Sequence, residues 1–292
     1  MNKSVVYLPG LNGLRAIAAL SVVFSHISIQ AKILGLTKFG GWGFATHGVT
    51  LFFTISGFLI TYLLLLEKEQ KRIMVKRFYV RRILRIWPLY YLYLLISILF
   101  LGKYFEWDST ILYYLFFCAN IPYIFESSIF LIAHLWTIGV EEQFYLIWPI
   151  MVKFTNKRLI VITFVVTCFL ILLKFYARYI IENNTIMIFL SVNRFECMLI
   201  GAMGAMLFYC KNNVFRLITT HRLTQLIAWL FILLIAFGKI STPGPTEQVT
   251  MSLITLLLIL GQISPEKKII NLENRYFDFL GKISYGISLV ST

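Results

Sequence analysis

Apolar runs close to the ~20 residues needed to cross a bilayer recur from end to end of this 292-residue chain. They begin near Asn12, Val49 and Pro88, continue near 111–125, 138–152, 159–173, 186–209, 223–238 and 249–263, and finish in a run from Ile283. Runs of that length and frequency leave one architecture: an all-α, polytopic integral membrane helix bundle of about ten transmembrane segments. Residues 1–292 read as a single transmembrane domain, with its last segment incomplete. The ten residues from Ile283 to Thr292 rise about 15 Å as a helix and fall short of a ~30 Å hydrocarbon core, so the chain reads as truncated there, with impaired function.

Composition excludes the soluble alternative. Charged residues are 14% of the chain and hydrophobic ones 59%, whereas a soluble domain carries roughly a quarter charged residues. The net charge of +14 would suggest nucleic acid in a soluble protein. Here Lys and Arg gather in short stretches between apolar runs, the pattern of cytoplasmic loops facing anionic lipid, and no nucleic-acid partner is expected. From Glu67 to Arg85 eight Lys or Arg stand against two Glu, a local charge of +6. That stretch is the strongest cytoplasmic signal, and Lys3 and Arg15 place the N-terminus on the same side.

Counting crossings from there produces a conflict. If 111–125 crosses fully, the loops holding Lys153, Lys157 and Arg158, and Lys211, Arg216 and Arg222, fall outside, against the charge bias. A re-entrant segment interrupted by Asn120 and Pro122 removes the conflict where protein or a wet cavity covers it. Arg15 interrupts the first run and no small-residue cleavage site follows, so the first helix is retained. Cys118, Cys168, Cys197 and Cys210 lie in or beside apolar runs without metal-ligand spacing and read as packing residues.

Four polar constellations stand out. Arg15 and His26 are eleven residues apart, three helical turns plus about 20°, so they share a face about 16 Å apart along the axis. Ionisable groups in an apolar helix mark function by default; a snorkelling anchor for Arg15 and a cross-helix hydrogen bond for His26 are the plainer alternatives. Ser21, Ser25 and Ser28 either extend that polar seam or bond back to their own helix. Arg77, Arg81 and Arg85 recur at i, i+4 and i+8 with Arg82 alongside, forming either a solvated basic patch or a polyanion site, since Arg forks match phosphate oxygens. His134, Trp136, Glu141 and Glu142 make a third group, in which the adjacent carboxylates point about 100° apart on a helix. Arg194 and Glu196 read as an intramembrane ion pair, more structural than functional. The four histidines, His26, His47, His134 and His221, lack paired metal-ligand spacing, so no metal site is expected.

Taken in order, these pieces resemble the family-three membrane acyltransferases, which modify sugars of surface polysaccharides and glycolipids. The resemblance opens with Leu11, Gly13, Leu14, Arg15, Ala16 and His26, and continues through Leu51, Phe52, Phe53 and Ile55 to Ile60. It proceeds through Phe78, Arg81, Arg82, Arg85, Ile86, Pro88 and Tyr90, then His134, Leu135, Trp136 and Val140 to Tyr145, and ends on Gly281 to Tyr285. It implies a cytoplasmic acyl-CoA donor, commonly acetyl-CoA, with no bound cofactor, a glycan or glycolipid hydroxyl as acceptor, and residence in the bacterial cytoplasmic membrane. It also implies roles for Arg15 and His26.

Within that implication Arg81, Arg82 and Arg85 suit the phosphates of CoA, with Arg15 at the donor's side and His134 and Trp136 on the substrate. His26 acts as general base or takes the acyl group itself, and Glu141 or Glu142 orients it. The runner-up is a permease or flippase for a lipid-linked glycan, lined by the same charges. It calls for inverted repeats or paired broken helices, which the sequence does not display.

Overall fold

A computed structural model describes residues 7–35, 44–70, 73–102, 109–155, 158–240, 244–264 and 268–290. Lys3, Gly40, Gly41, Gly43, Lys71, Arg72, Lys157 and Thr292 lie outside the described residues. The described chain is helical, in the order α1 (Leu11–Ile33), α2 (Phe44–Gln70), α3 (Val75–Leu101), α4 (Thr110–Leu115) and α5 (Asn120–Ile124). A 3-10 turn (Phe130–Leu135) leads into α6 (Trp136–Phe154), α7 (Leu159–Tyr179), α8 (Asn184–Asn193) and α9 (Phe195–Tyr209). Then come α10 (Asn213–Thr219), α11 (Arg222–Ala236), α12 (Thr246–Ile263) and α13 (Arg275–Val290).

The helix bundle is as the apolar runs demand, and not every run becomes a helix long enough to cross by itself among the described residues. Among the described residues six helices are long and apolar enough to cross: Leu11–Ala31, Phe44–Gln70, Val75–Phe100, Leu159–Tyr179, Asn184–Tyr209 and Thr246–Ile263. The pair α10 and α11, bent by 51°, makes a seventh if it is one span. With that pair counted, three of the ten runs remain, and each takes another form. The run at 111–125 becomes α4 and α5, six and five residues long, which rise only about 9 and 8 Å. The run at 138–152 becomes α6, which carries Glu141, Glu142 and Lys153 in its 19 residues. The final helix starts at Arg275 rather than near Ile283, because polar bonds hold its first turns: Lys282 reaches Asp278 at 2.6 Å and Asn12 donates to Asp278 at 2.6 Å.

The chain divides into two compact units, one of residues 1–65 and 197–288, the other of 66–196 and 289–292. In the first, Leu14, Ile55, Phe58, Ile259 and Leu260 form the core with neighbours from α9 and α11. Small residues let backbones meet there. A Cβ at Gly57 would overlap the Met198 carbonyl, and one at Gly201 the Thr54 carbonyl, so α2 and α9 approach through the absence of side chains, the usual device where lipid supplies no hydrophobic drive.

The second unit is closed by polar side chains. Asn120 of α5 donates to Gln143 of α6 at 3.2 Å and to Asn193 of α8 at 2.8 Å. Lys174 of α7 meets Glu196, and both are almost fully buried, at 1% and 2% exposure. The span 184–209 is broken between these ties, at Arg194, whose φ of 45° is left-handed. A non-glycine residue holds that conformation only where its surroundings over-determine it, and here the pinned Asn193 and Glu196 flank it.

Candidate active site

Of the carboxylates and arginines singled out by sequence, Glu142 and Arg82 come within electrostatic reach of each other in the second unit, where α3 runs beside α6. Tyr79 of α3 donates to the Leu146 carbonyl of α6 at 2.6 Å. At the end of α6 the Lys68 ammonium donates to the carbonyls of Val152 at 2.7 Å and Thr155 at 2.8 Å, a cation satisfying orphan C-terminal carbonyls. Both fix α6 along its length.

On that scaffold Glu142 faces α3. Its Oε2 accepts from Trp87 Nε1 at 3.3 Å, and its Oε1 is buried without a hydrogen-bond donor among the described residues. Arg82 lies within electrostatic reach of it, with the guanidinium 4.3 Å from the Tyr145 ring centroid and 5.9 Å from that of Phe78. A buried carboxylate oxygen lacking a donor is a costly feature, and it stands ready to accept from a ligand. Glu141, one residue earlier and half-buried, points about 100° away around the helix.

The arginine group divides. Arg82 turns inward onto Tyr145, while Arg81 stays largely exposed, 3.4 Å from Glu67, and Arg85 is exposed. His134 and Trp136 sit where the 3-10 turn becomes α6. His134 Nε2 lies 3.0 Å from the Leu289 carbonyl, with the ring edge-on to Tyr93 at 5.5 Å. Trp136 is buried, stacked on Tyr123 at 5.2 Å, with the Arg194 guanidinium 5.6 Å from its ring.

In the first unit α1 is one continuous helix carrying Arg15 and His26, both half-buried. Their shared face follows from that continuity. Ser21 bonds back to the carbonyls of Ile17 at 2.6 Å and Ala18 at 3.2 Å, the plainer of its two expectations. The carboxylates of α6 belong to the other unit.

Sequence reasoning overlooked Lys174 and Trp87. A signal for Lys174 existed: the run 159–173 is too short to cross by itself, so the span had to continue through that lysine. The pairing expected between Arg194 and Glu196 omitted it, yet Lys174 is the partner that α7 brings to Glu196. Arg194 donates from Nε to the Ser191 carbonyl at 2.7 Å and lies over Trp136.

A family profile described as an acyltransferase domain matches residues 8–292, which takes in every helix from α1 to α13. The chain belongs to acyltransferase family 3. Among its relatives is a Staphylococcus aureus (strain COL) protein with the provisional name O-acetyltransferase, 28% identical over 98% of this chain and 50% of the relative. Another is the O-acetyltransferase OatA of Staphylococcus aureus (strain NCTC 8325 / PS 47), 29% identical over 68% of this chain and 34% of OatA. The chain spans about half the length of the first of these, and no solved structure matches it. Membership in acyltransferase family 3 makes it possible to sort the resembling blocks by physical task. Gly57 and Gly281 admit the backbones of Met198 and Asn12, a packing task, whereas Arg82 faces the buried carboxylate of Glu142 and Trp136 stacks on Tyr123 beside Arg194.

Proposed function

We propose that this protein transfers an acyl group, acetyl in the simplest case, from cytoplasmic acyl-CoA to a hydroxyl of a surface polysaccharide or lipid-linked glycan at the bacterial cytoplasmic membrane. The observation that carries this reading is the match to an acyltransferase domain over residues 8–292; the names of the relatives favour oxygen as the acceptor atom.

In this reading the arginines of α3, Arg82 and Arg85 with Arg81 beside them, hold the phosphates of CoA, and Arg15 serves the donor's side. His26 takes the proton of the acceptor hydroxyl while its oxygen attacks the thioester carbonyl; the C–S bond breaks, and the CoA sulfur leaves and receives the proton. Acyl transfer through the imidazole itself is the variant with two displacements. Glu142 or Glu141 orients the imidazole and supports its charge. His134 and Trp136 contact the acceptor.

Replacing His26 by Ala is expected to abolish thiol release from acetyl-CoA in nanodiscs supplied with envelope lipid extract, while CoA still binds. Retained transfer by H26A would overturn the assignment. A glycan permease or flippase is the second reading, favoured by the break at Arg194 and the 51° bend between α10 and α11, since broken helices line transport sites. Thiol release by the wild-type protein separates the two, because transport alone releases none.

A further inference from the structure

The arginine group of α3 splits into two faces, and the outward face has its own geometry. Lys76, Arg77, Val80 and Arg81 line a cleft of about 280 Å³. Of its three cations only Arg81 has an acidic neighbour among the described ion pairs, Glu67 at 3.4 Å, so the cleft keeps an excess of positive charge. Arg77 and Arg81 are one turn apart, where like charges repel, and an anion between them relieves that repulsion. Arg82 is turned away onto Tyr145, so the cleft is distinct from the inward cluster with Glu142.

What adjoins the cleft identifies the anion. The four lining residues occupy the first two turns of the span Val75–Phe100, so the cleft lies at that helix's charged end, where a membrane helix meets the headgroup layer. Its apolar wall, Val80, is 45% exposed, and the next turn exposes Ile83 and Leu84 at 36% and 70%. A cationic pocket leading directly onto an apolar strip matches a molecule whose phosphate adjoins acyl chains. The phosphates of CoA adjoin a ribose, an adenine and amides, all polar, and leave that strip without a purpose.

We infer that Lys76 and Arg77, on the side of the cleft away from the Arg81–Glu67 pair, bind the phosphate of an anionic phospholipid, whose chains lie along Val80, Ile83 and Leu84. Net positive charge favours an anionic headgroup over a zwitterionic one, each basic residue near the surface contributing appreciably. The site does not depend on acyl transfer.

The test is lipid retention by the whole protein in nanodiscs of phosphatidylcholine with a minor fraction of phosphatidylglycerol, read by native mass spectrometry. The wild type is expected to retain phosphatidylglycerol selectively, and K76Q/R77Q to bind it about thirtyfold more weakly, the effect of two surface charges. Both residues are exposed, so the fold should be unaffected, as an unchanged melting temperature would verify. A second variant, V80N/L84N, should weaken phosphatidylglycerol binding while leaving the competing inorganic phosphate unaffected. Equal retention of the two lipids, or undiminished binding by K76Q/R77Q, overturns the site. Displacement of the lipid by CoA but not by 3′-dephospho-CoA overturns the lipid as occupant and makes the cleft a seat for the donor. Failure of the wild type to bind CoA anywhere would instead defeat the proposed function and leave this inference standing.

Discussion

The two units solve the same problem, helix association in lipid, by opposite means. The first brings backbones together. Gly57 and Gly201 remove side chains where α2 meets α9, and several buried hydroxyls return to their own helices: Thr54 donates to the Thr50 carbonyl at 2.9 Å, Thr61 to that of Gly57 at 2.7 Å and Ser252 to that of Gln248 at 2.8 Å. The second unit also returns Thr163 and Thr167 to their own helix, but places its buried amides and charges between elements. The amides of Asn120, Gln143 and Asn193 bridge three helices, Lys174 meets Glu196, and the Tyr90 hydroxyl donates to the Tyr114 carbonyl at 2.7 Å. Close backbone packing and interhelical hydrogen bonds both hold membrane bundles. The first unit adds polar ties of its own, from Gln225 to the Leu257 carbonyl and from Gln262 to that of Ile270, but among the described residues its charges are not buried in pairs. The proposed donor and acceptor side chains of α3 and α6 stand in the unit that buries Lys174 against Glu196.

The sharpest way to break that contrast is Lys174→Ala, which strands a buried carboxylate and is expected to destabilise by about 3–5 kcal/mol. A chemical-denaturation series on reconstituted protein would measure it. K174M/E196L should recover most of the loss, because replacing both charges removes the desolvation cost as well as the attraction. A single variant as stable as wild type would show that the second unit does not rest on its ion pair.

In the first unit the corresponding experiment adds atoms rather than removing charge. Gly57→Ala and Gly201→Ala place a Cβ into a facing carbonyl, and overpacking of this kind costs about 1–3 kcal/mol. The expected signature is a lower melting temperature for either variant alone, with less than additive loss when combined, since one separation of α2 from α9 serves both. Unaltered melting would mean that the helices shift apart freely.

The smallest effect concerns the first unit's surface. Lys268 lies 2.5 Å from Glu273 and holds its carboxyl below the ordinary glutamate range. A depressed pKa adds stability above the unfolded value near ~4.3, and that contribution is lost as pH falls through the lower folded value. The pair is partly exposed, so about 0.5 kcal/mol is at stake. Glu273→Gln should flatten the acid limb of the melting profile below about pH 4.3 and leave neutral pH nearly unaffected.

Much of this was legible in the sequence. Length and hydropathy announced the first three spans, and helical phase placed Arg15 and His26 on one face of a helix that the structure keeps continuous. The breaking of 111–125 into two short helices was less legible, because hydropathy there cannot register that Asn120 is occupied with Gln143 and Asn193, a bond between segments far apart in sequence. The division of the arginines was hidden for a related reason: periodicity places Arg81 and Arg82 about 100° apart but does not say that Tyr145 waits on one side. The role of Gly57 was visible as a motif and explicable only once the Met198 carbonyl stood against it.

The break at Arg194 bears on how the protein is made. The segment 184–209 carries Asn193, Arg194 and Glu196 at its middle, and a charged residue at a helix centre opposes insertion by about 2.5–3.5 kcal/mol. Offered to the insertion machinery alone, such a segment would be a poor substrate. The span synthesised just before it, α7, holds Lys174 at the level of Glu196, and only residues 180–183 separate α7 from α8. The ribosome thus delivers the countercharge first, and the two spans are suited to leave the translocation channel together as a hairpin already neutralised at its core.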